Sequence, residues 1–308
     1  MGLEKGSTVL VTGATGFIGR ALTTALHERG YELAILSRRV DRVRAQPHIK
    51  LVQAWNPQQE PAPVSVIERA QAIVHLAGES IAGRWTEAKK RAIRNSRVEG
   101  TRNLVVAIAQ AKTRPRVLVS ASAVGYYGDR GEETLTEESG PGSDFLALVC
   151  QAWETEARRA EAHDVRVVCL RSGIVLDRDG GALQQMLPPF RLGLGGPLGN
   201  GRQWMPWIHR DDTVGLILHA LENEKVSGPV NGTAPEPVRN IEFTKTLGRV
   251  LNRPTFLAAP EFVLKLLLGE FADVLLASPR VLPARAQAAG YAFKYSTLEP
   301  ALRACLQR

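Results

Sequence analysis

Cysteine is scarce in this chain. Three occur in 308 residues, Cys150, Cys169 and Cys305, too far apart for any metal or redox spacing, which argues against a disulfide framework and fits a reducing cytoplasm. The six histidines form no paired ligand pattern, so no structural metal is expected. Aromatics make up only 6% and do not alternate with the basic residues. The net charge of +8 is spread through helices, so a nucleic-acid partner is not expected. Uninterrupted apolar runs are missing too. The most apolar late stretch, Phe262 to Ala277, is broken by Lys265, Glu270 and Asp273, and it reads as an amphipathic helix, with no membrane span expected. The first apolar stretch is already a strand feeding a glycine turn, so no signal peptide is expected. One further gap bears on chemistry: no lysine occurs between Lys112 and Lys225.

What is present is organised around "VLVTGATGFIGR" followed by "ALTTALHERG". Thr8 to Thr12 read as a buried strand, the three glycines Gly13, Gly16 and Gly19 as a turn and first helical turn, and the helix runs to about Arg29. Gly13 allows the sharp turn, Gly16 lets backbone approach a pyrophosphate, and Gly19 lets helix press on strand. The helix N-terminus then directs free N–H groups and a positive dipole end at phosphate oxygens. A second strand, "YELAILSRR", completes a strand–helix–strand unit.

That second strand ends in Ser37, Arg38 and Arg39, where an NAD-binding unit carries an acid for the adenosine ribose hydroxyls. A guanidinium can fork onto a 2′-phosphate that a carboxylate would repel. NADP(H) is therefore the expected cofactor. "IKLVQAW" reads as a third strand and "QAIVHLAGES" as a fourth, its small residues allowing a ribose to approach the backbone. His75 reads as packing. The helix from about Thr86 to Ala111 carries Lys90, Arg94, Arg97 and Thr101 near one face, and Arg97 is a phosphate-binding candidate if that face meets the cleft.

Strand five, "RVLVSASAVGYYGD", leaves the sheet with Ser120, Ser122, Tyr126 and Tyr127 clustered beyond its apolar part. A helix over Phe145 to His163 and a sixth strand, "VRVVCLRSGIVL", follow. Six strands joined by helices or short crossovers predict an α/β fold, a Rossmann-type doubly wound parallel sheet. After Asp177 the chain becomes rich in glycine and proline, then mostly helical. The expected organisation is a cofactor-binding domain over 1–177, with some later segments returning to it, and a smaller substrate-binding lobe over 178–308. Further candidates are Glu79 and Trp85 at the cleft edge, Asp212 as a helix cap beside His209, Arg171 as an anion anchor or ion-pair member, and Trp204 and Trp207 as aromatic wall or core.

"TGATGFIGR", "IVHLAG", "VEGTRNLV", "VLVSASAVGYYG", "VRVVCLRSGIVL" and "WIHRDD" occur in an order that resembles the extended short-chain dehydrogenase/reductase superfamily. "AGESIAGRW", "SAVGYYG", Trp153–Glu154, "FRLGLGGPLGNGRQWMPWIH" and "VNGTAPEPV" resemble its atypical epimerase-family members, including the SulA-type group. The resemblance implies an NADP(H) site with Gly13, Thr15, Gly16, Phe17, Ile18 and Gly19 at the pyrophosphate. It places Ser37 and Arg38 at the 2′-phosphate, Leu76 and Ala77 at the ribose, and Arg97 where many relatives have asparagine. It implies a small-molecule substrate and a homodimer paired through two helices.

The superfamily's serine corresponds to Ser122. Its tyrosine four residues before a lysine has no counterpart, since "DFLALVCQAWE" places Phe145 and Leu146 near the tyrosine and Val149 and Cys150 near the lysine. None of the five tyrosines has a lysine four residues on. Tyr127 or Tyr126 is the expected substitute proton donor, with Ser122 polarising a carbonyl or hydroxyl. Two functions are thus expected: an oxidoreductase or epimerase acting on a small polar, nucleotide-sugar-like substrate, or an NADPH-binding regulatory or scaffold protein linked to cell division.

Overall fold

The computed structural model of the chain describes residues 3–43 and 48–306. Strand β1 (Thr8–Thr12) leads through the glycine turn into α1 (Phe17–Glu28), followed by β2 (Glu32–Ser37), β3 (Ile49–Ala54), α2 (Val64–Ile67) and β4 (Ala72–His75). The long α3 (Glu87–Gln110) precedes β5 (Val117–Ala123), β6 (Thr134–Leu135), α4 (Phe145–Arg158), β7 (Arg166–Ser172) and β8 (Ile174–Asp177). Then come α5 (Gly181–Arg191), β9 (Trp204–Met205), β10 (Trp207–His209), α6 (Arg210–Glu222) and β11 (Gly228–Gly232). The last segments used below are β12 (Val238–Arg239), α7 (Asn240–Leu251), α8 (Glu261–Leu268) and β13 (Arg280–Val281).

Among the described residues, seven strands pair in parallel in the order β11-β7-β5-β4-β1-β2-β3. The central strands read as near-continuous apolar runs because both sheet faces are covered. On one face Leu22 and Leu26 of α1 and Ile217 and Leu221 of α6 join Val9, Val11 and Ile35. On the other, Ile67 of α2 and Leu104 and Ile108 of α3 join Leu10, Ile73 and Leu118. A separate core is formed by Leu183, Leu187, Phe190, Trp207, Phe243, Leu247 and Leu302.

The parallel doubly wound sheet expected from the sequence is the fold observed. The seventh strand is the short segment at "PVNG", whose Val230 pairs with Leu170 of β7. Both α6 and β11 lie after residue 177 yet pack with the sheet. The single helix expected over Phe262 to Ala277 is instead two, because Gly269 takes a φ of +59° between α8 and a short helix at Phe271–Leu276. Among the described residues no helix is long and apolar enough to cross a membrane. Strand order reverses between β1 and β4, which opens a crevice at their carboxyl ends.

Candidate functional site

The glycine turn lies in that crevice, against the end of β4. Gly13 has a φ of +71°, and a Cβ there would meet the carbonyl carbon of Leu76 at 2.8 Å and the nitrogen of Ala77 at 3.0 Å. A Cβ at Gly19 would collide with the Gly13 carbonyl oxygen and meet the Ala14 backbone at 2.8 Å. Bare backbone is required at both positions. Gly16 caps α1 in an extended conformation and is exposed, so the unpaired N–H groups of the first turn stand behind a position with no side chain. Thr15 presents its carbonyl to Arg20 at 2.9 Å. The Phe17 ring packs beneath the turn at Gly180 and Gly181, and the Arg210 guanidinium lies 5.5 Å from that ring's centroid. Thr12 Oγ1 accepts from the Ala77 N–H at 3.3 Å and meets His75 Nδ1 at 2.7 Å. His75 is wholly buried, which pulls its imidazole down to about 4.

At the tip of β2, Ser37 Oγ exchanges hydrogen bonds with the backbone of Arg39, leaving Arg38 exposed. Across β1 from it, Glu79 follows β4. The Glu79 N–H donates to Ser96 Oγ at 3.0 Å, its carbonyl accepts from Arg97 at 3.0 Å, and its carboxylate meets Lys89 Nζ at 2.8 Å. Lys89, Arg38 and Arg97 all pull the Glu79 carboxyl below its ordinary value, Lys89 most and against the effect of burial. Arg97 lies behind Gly78, 3.6 Å from where a Cβ there would sit, with its guanidinium over the Trp153 ring at 5.2 Å. Lys90 instead bonds outward to Glu270 at 2.9 Å.

Ser122, at the end of β5, is nearly buried and donates its proton to Glu154 Oε1 at 2.6 Å. Arg171 on β7 grips both Glu154 oxygens, each at 2.8 Å, and donates to the Tyr127 hydroxyl at 3.0 Å. That hydroxyl in turn donates to Asn231 Oδ1 at 2.7 Å, while the Asn231 N–H reaches Glu137. Burial opposes the Arg171 charge, yet Glu154 more than restores it and holds the guanidinium above its ordinary value. Burial likewise raises the Tyr127 phenol against the pull of Arg171. Tyr127, expected as a proton donor, is thus fully enclosed with its hydroxyl spoken for. Tyr126 lies against the Arg171 guanidinium, 3.4 Å from ring centroid to carbon.

On α4, Leu146 packs near Gly125, and burial pushes the Cys150 thiol up to about 12. The side chain that sequence reasoning underrated is Glu154, one helical turn beyond Cys150. The i, i+4 spacing of Leu146, Cys150 and Glu154 was the available signal, since it puts the carboxylate on the stripe facing β5. Trp85 stacks edge-on with Phe145 at 5.2 Å and donates to the Ile81 carbonyl, so it packs. Trp207 is core, whereas Trp204 sits between Arg239 and Arg280, at 4.4 and 4.7 Å. Asp212 does not cap α6. His209 does so, accepting from the Asp211 N–H, and buried Asp212 accepts instead from Tyr291, Lys294 and Tyr295.

A parallel sheet with its strand order reversed at β1, a glycine turn in the resulting crevice and a serine-bearing strand end beside it define the class as a dinucleotide-binding fold of the short-chain dehydrogenase/reductase type. The chain belongs to the NAD dependent epimerase/dehydratase family, which it matches over residues 9–231, and residues 259–305 match a domain of unknown function (DUF1731). It is 45% identical over 306 residues to "Epimerase family protein SDR39U1 homolog, chloroplastic" from Arabidopsis thaliana, covering 99% of this chain and 88% of that protein. To the Homo sapiens epimerase family protein SDR39U1 it is 40% identical, covering 96% and 98% of the two chains. The crystal structure of human SDR39U1 (isoform 2) with NADPH superposes with a TM-score of 0.88 at 38% identity, covering 97% of this chain and 99% of that one. The Bacillus cereus UDP-glucuronic acid 4-epimerase shares the fold, with a TM-score of 0.78 at 16% identity over 97% of each chain.

Proposed function

We propose that this chain binds NADP(H) across the carboxyl ends of β2, β1 and β4 and uses it in redox chemistry on a small polar substrate of nucleotide-sugar type. The observation that carries the reading is the backbone cradle at Gly13 and Gly19, with Arg38 exposed at the tip of β2 and Arg97 behind Gly78, beyond the end of β4. The turn from Gly13 to Gly19, including Thr15, Phe17 and Ile18, holds the diphosphate on the N-terminus of α1. Ser37 and Arg38 take the 2′-phosphate, Leu76 and Ala77 the ribose, and Arg97 supports the diphosphate from behind Gly78. The bound nicotinamide supplies or accepts a hydride.

Ser122 marks the reacting end. Its one proton is committed to Glu154 at 2.6 Å, so its oxygen meets the substrate as an acceptor and orients a hydroxyl by taking that group's hydrogen bond. Arg171 fixes Glu154, and Tyr127 braces Arg171; both act through Ser122 and neither touches the groove. Fluorescence titration of wild type and Arg38→Ala with NADPH and NADH tests the cofactor assignment. Wild type is expected to prefer NADPH about ten- to a hundred-fold, the value of a charge-assisted contact or two, and the variant to lose that preference. Equal wild-type affinity for both would end it.

The arrangement of α4 favours a second reading. Phe145 and Leu146, and Val149 and Cys150, stand near the positions where the resemblance leads one to expect the tyrosine and the lysine, which suits an NADPH-binding regulatory protein whose loaded form displays a surface to a partner. Pull-downs with and without NADPH separate the two, because a partner set indifferent to the cofactor removes this second reading.

A further inference from the structure

Beyond Ser122 the row of strand ends continues to β7 and β11, where two short strands are fastened. The Ile174 N–H, just past β7, donates to the Pro206 carbonyl beside β9 at 2.7 Å. Asn231 of β11 donates to the Leu282 carbonyl beside β13 at 2.9 Å. Val281 of β13 packs on Tyr127 and Leu135. Side chains alternate along a strand, so Arg280 turns the other way, with its guanidinium carbon 4.7 Å from the Trp204 ring centroid. A second guanidinium, that of Arg239, lies 4.4 Å from the same ring. The two cations differ in their company. Arg239 is matched by Glu132 at 2.8 Å, which also accepts from Trp204 Nε1 at 3.1 Å. Among the described residues no hydrogen bond or ion pair reaches the Arg280 side chain, and its Nε is buried without a partner. A half-buried guanidinium in that position has given up water and gained no acceptor from the protein.

Resting on the substrate reading above, we infer that Arg280, held on Trp204, is the subsite for an oxyanion of the substrate, a phosphoryl or carboxylate group, at the β7 side of the cleft. Strand order sets the layout. The ends of β2, β1 and β4 take the dinucleotide, β5 brings Ser122, and the oxyanion lies past β5. The indole does here what an acid does for a structural arginine, attracting the guanidinium through its π face, yet it occupies none of the N–H donors. Those donors form a planar fork that matches a carboxylate or phosphate. Because Glu132 neutralises Arg239, the charge left unmatched at the ring is that of Arg280. A neutral substrate leaves its fork empty, so the cleft selects for an anionic one.

Isothermal titration of the NADPH-saturated protein with UDP-glucose, UDP-glucuronic acid and inorganic diphosphate tests the assignment, since the dinucleotide already fills the glycine turn. Arg280→Gln is expected to weaken the probes about ten- to a hundred-fold, the value of a charge-assisted contact or two, while changing NADPH less than about two-fold. A loss shared by all three probes assigns a phosphoryl group, and a loss confined to UDP-glucuronic acid assigns a carboxylate. Arg280→Lys, which keeps the charge without the fork, should restore part of the affinity. Trp204→Leu should weaken the same probes several-fold with Arg280 in place. Unliganded Arg280→Gln should melt with wild type, because no bond within the protein is lost; a sharply lower melt makes Arg280 structural and overturns the proposal. If UDP sugars bind Arg280→Gln as they bind wild type, the subsite falls and the substrate reading stands. If diphosphate binds through Arg280 and no UDP sugar binds, the subsite stands and the nucleotide-sugar reading falls. A wild type that binds none of the three overturns both.

Discussion

Gly19 and His75 show how single positions are set by what surrounds them. Alanine at Gly19 has no space between the Gly13 carbonyl and the Ala14 backbone; the chain must shift, and overpacking of this kind costs about 1–3 kcal/mol. Chemical denaturation of Gly19→Ala should show that loss, together with weaker NADPH binding. His75, with its imidazole pulled down to about 4 by burial from an ordinary 6.5, is neutral in the folded chain at pH 7. The unfolded chain takes up a proton as pH falls through 6.5, and the folded chain does so only near 4. The stability His75 contributes is thus present above 6.5 and is lost between 6.5 and 4, roughly 3 kcal/mol at 1.4 kcal/mol per unit. Urea titrations at pH 7.5 and 4.5 should show His75→Asn losing less than wild type over that range. The glycines were legible in the sequence because their spacing is dictated by local backbone. The enclosure of Tyr127 was not, because its partners, Arg171 and Asn231, are 44 and 104 residues away.

Among the secondary elements, α4 is tied to a strand that comes later in the chain. Its inward stripe ends in Glu154, clamped by Arg171 from β7, and each partner of this enclosed pair depends on the other for compensation. Removing one leaves a charge in a nonpolar setting, a loss of about 3–5 kcal/mol. Glu154→Ala should therefore show a sharply lower denaturation midpoint, and Glu154→Leu combined with Arg171→Met a much smaller drop. Periodicity was sufficient to find α4 and its apolar side. It could not show that a carboxylate on that side meets a guanidinium, because that needs the register in which β5 and β7 pair, Ser122 opposite Arg171. The broken helix at Gly269 was missed for a related reason: its apolar residues keep helical spacing on both sides of a glycine whose positive φ only tertiary packing selects.

The molecule as a whole is tied together by contacts from its far end. Asp212 on α6 holds the segment from Tyr291 to Tyr295 through two backbone N–H groups and one hydroxyl, so Asp212→Ala should speed amide exchange at Lys294 and Tyr295 with little change in β1. The sheet's general plan was readable because alternating strand and helix signals leave few topologies open. The destination of β11 was not, since a five-residue strand carries no sign of its neighbour.

The placement of α6 and β11 also constrains how the chain can be made. A ribosome emitting residues 1–177 has delivered six of the seven strands of the main sheet but neither the edge strand that pairs with β7 nor the helix that shares a face with α1. The nascent sheet must wait, one side covered by α1 alone, while about fifty more residues emerge, a few seconds at ordinary translation rates. Chaperone dependence during synthesis should exceed that seen on refolding the finished polypeptide.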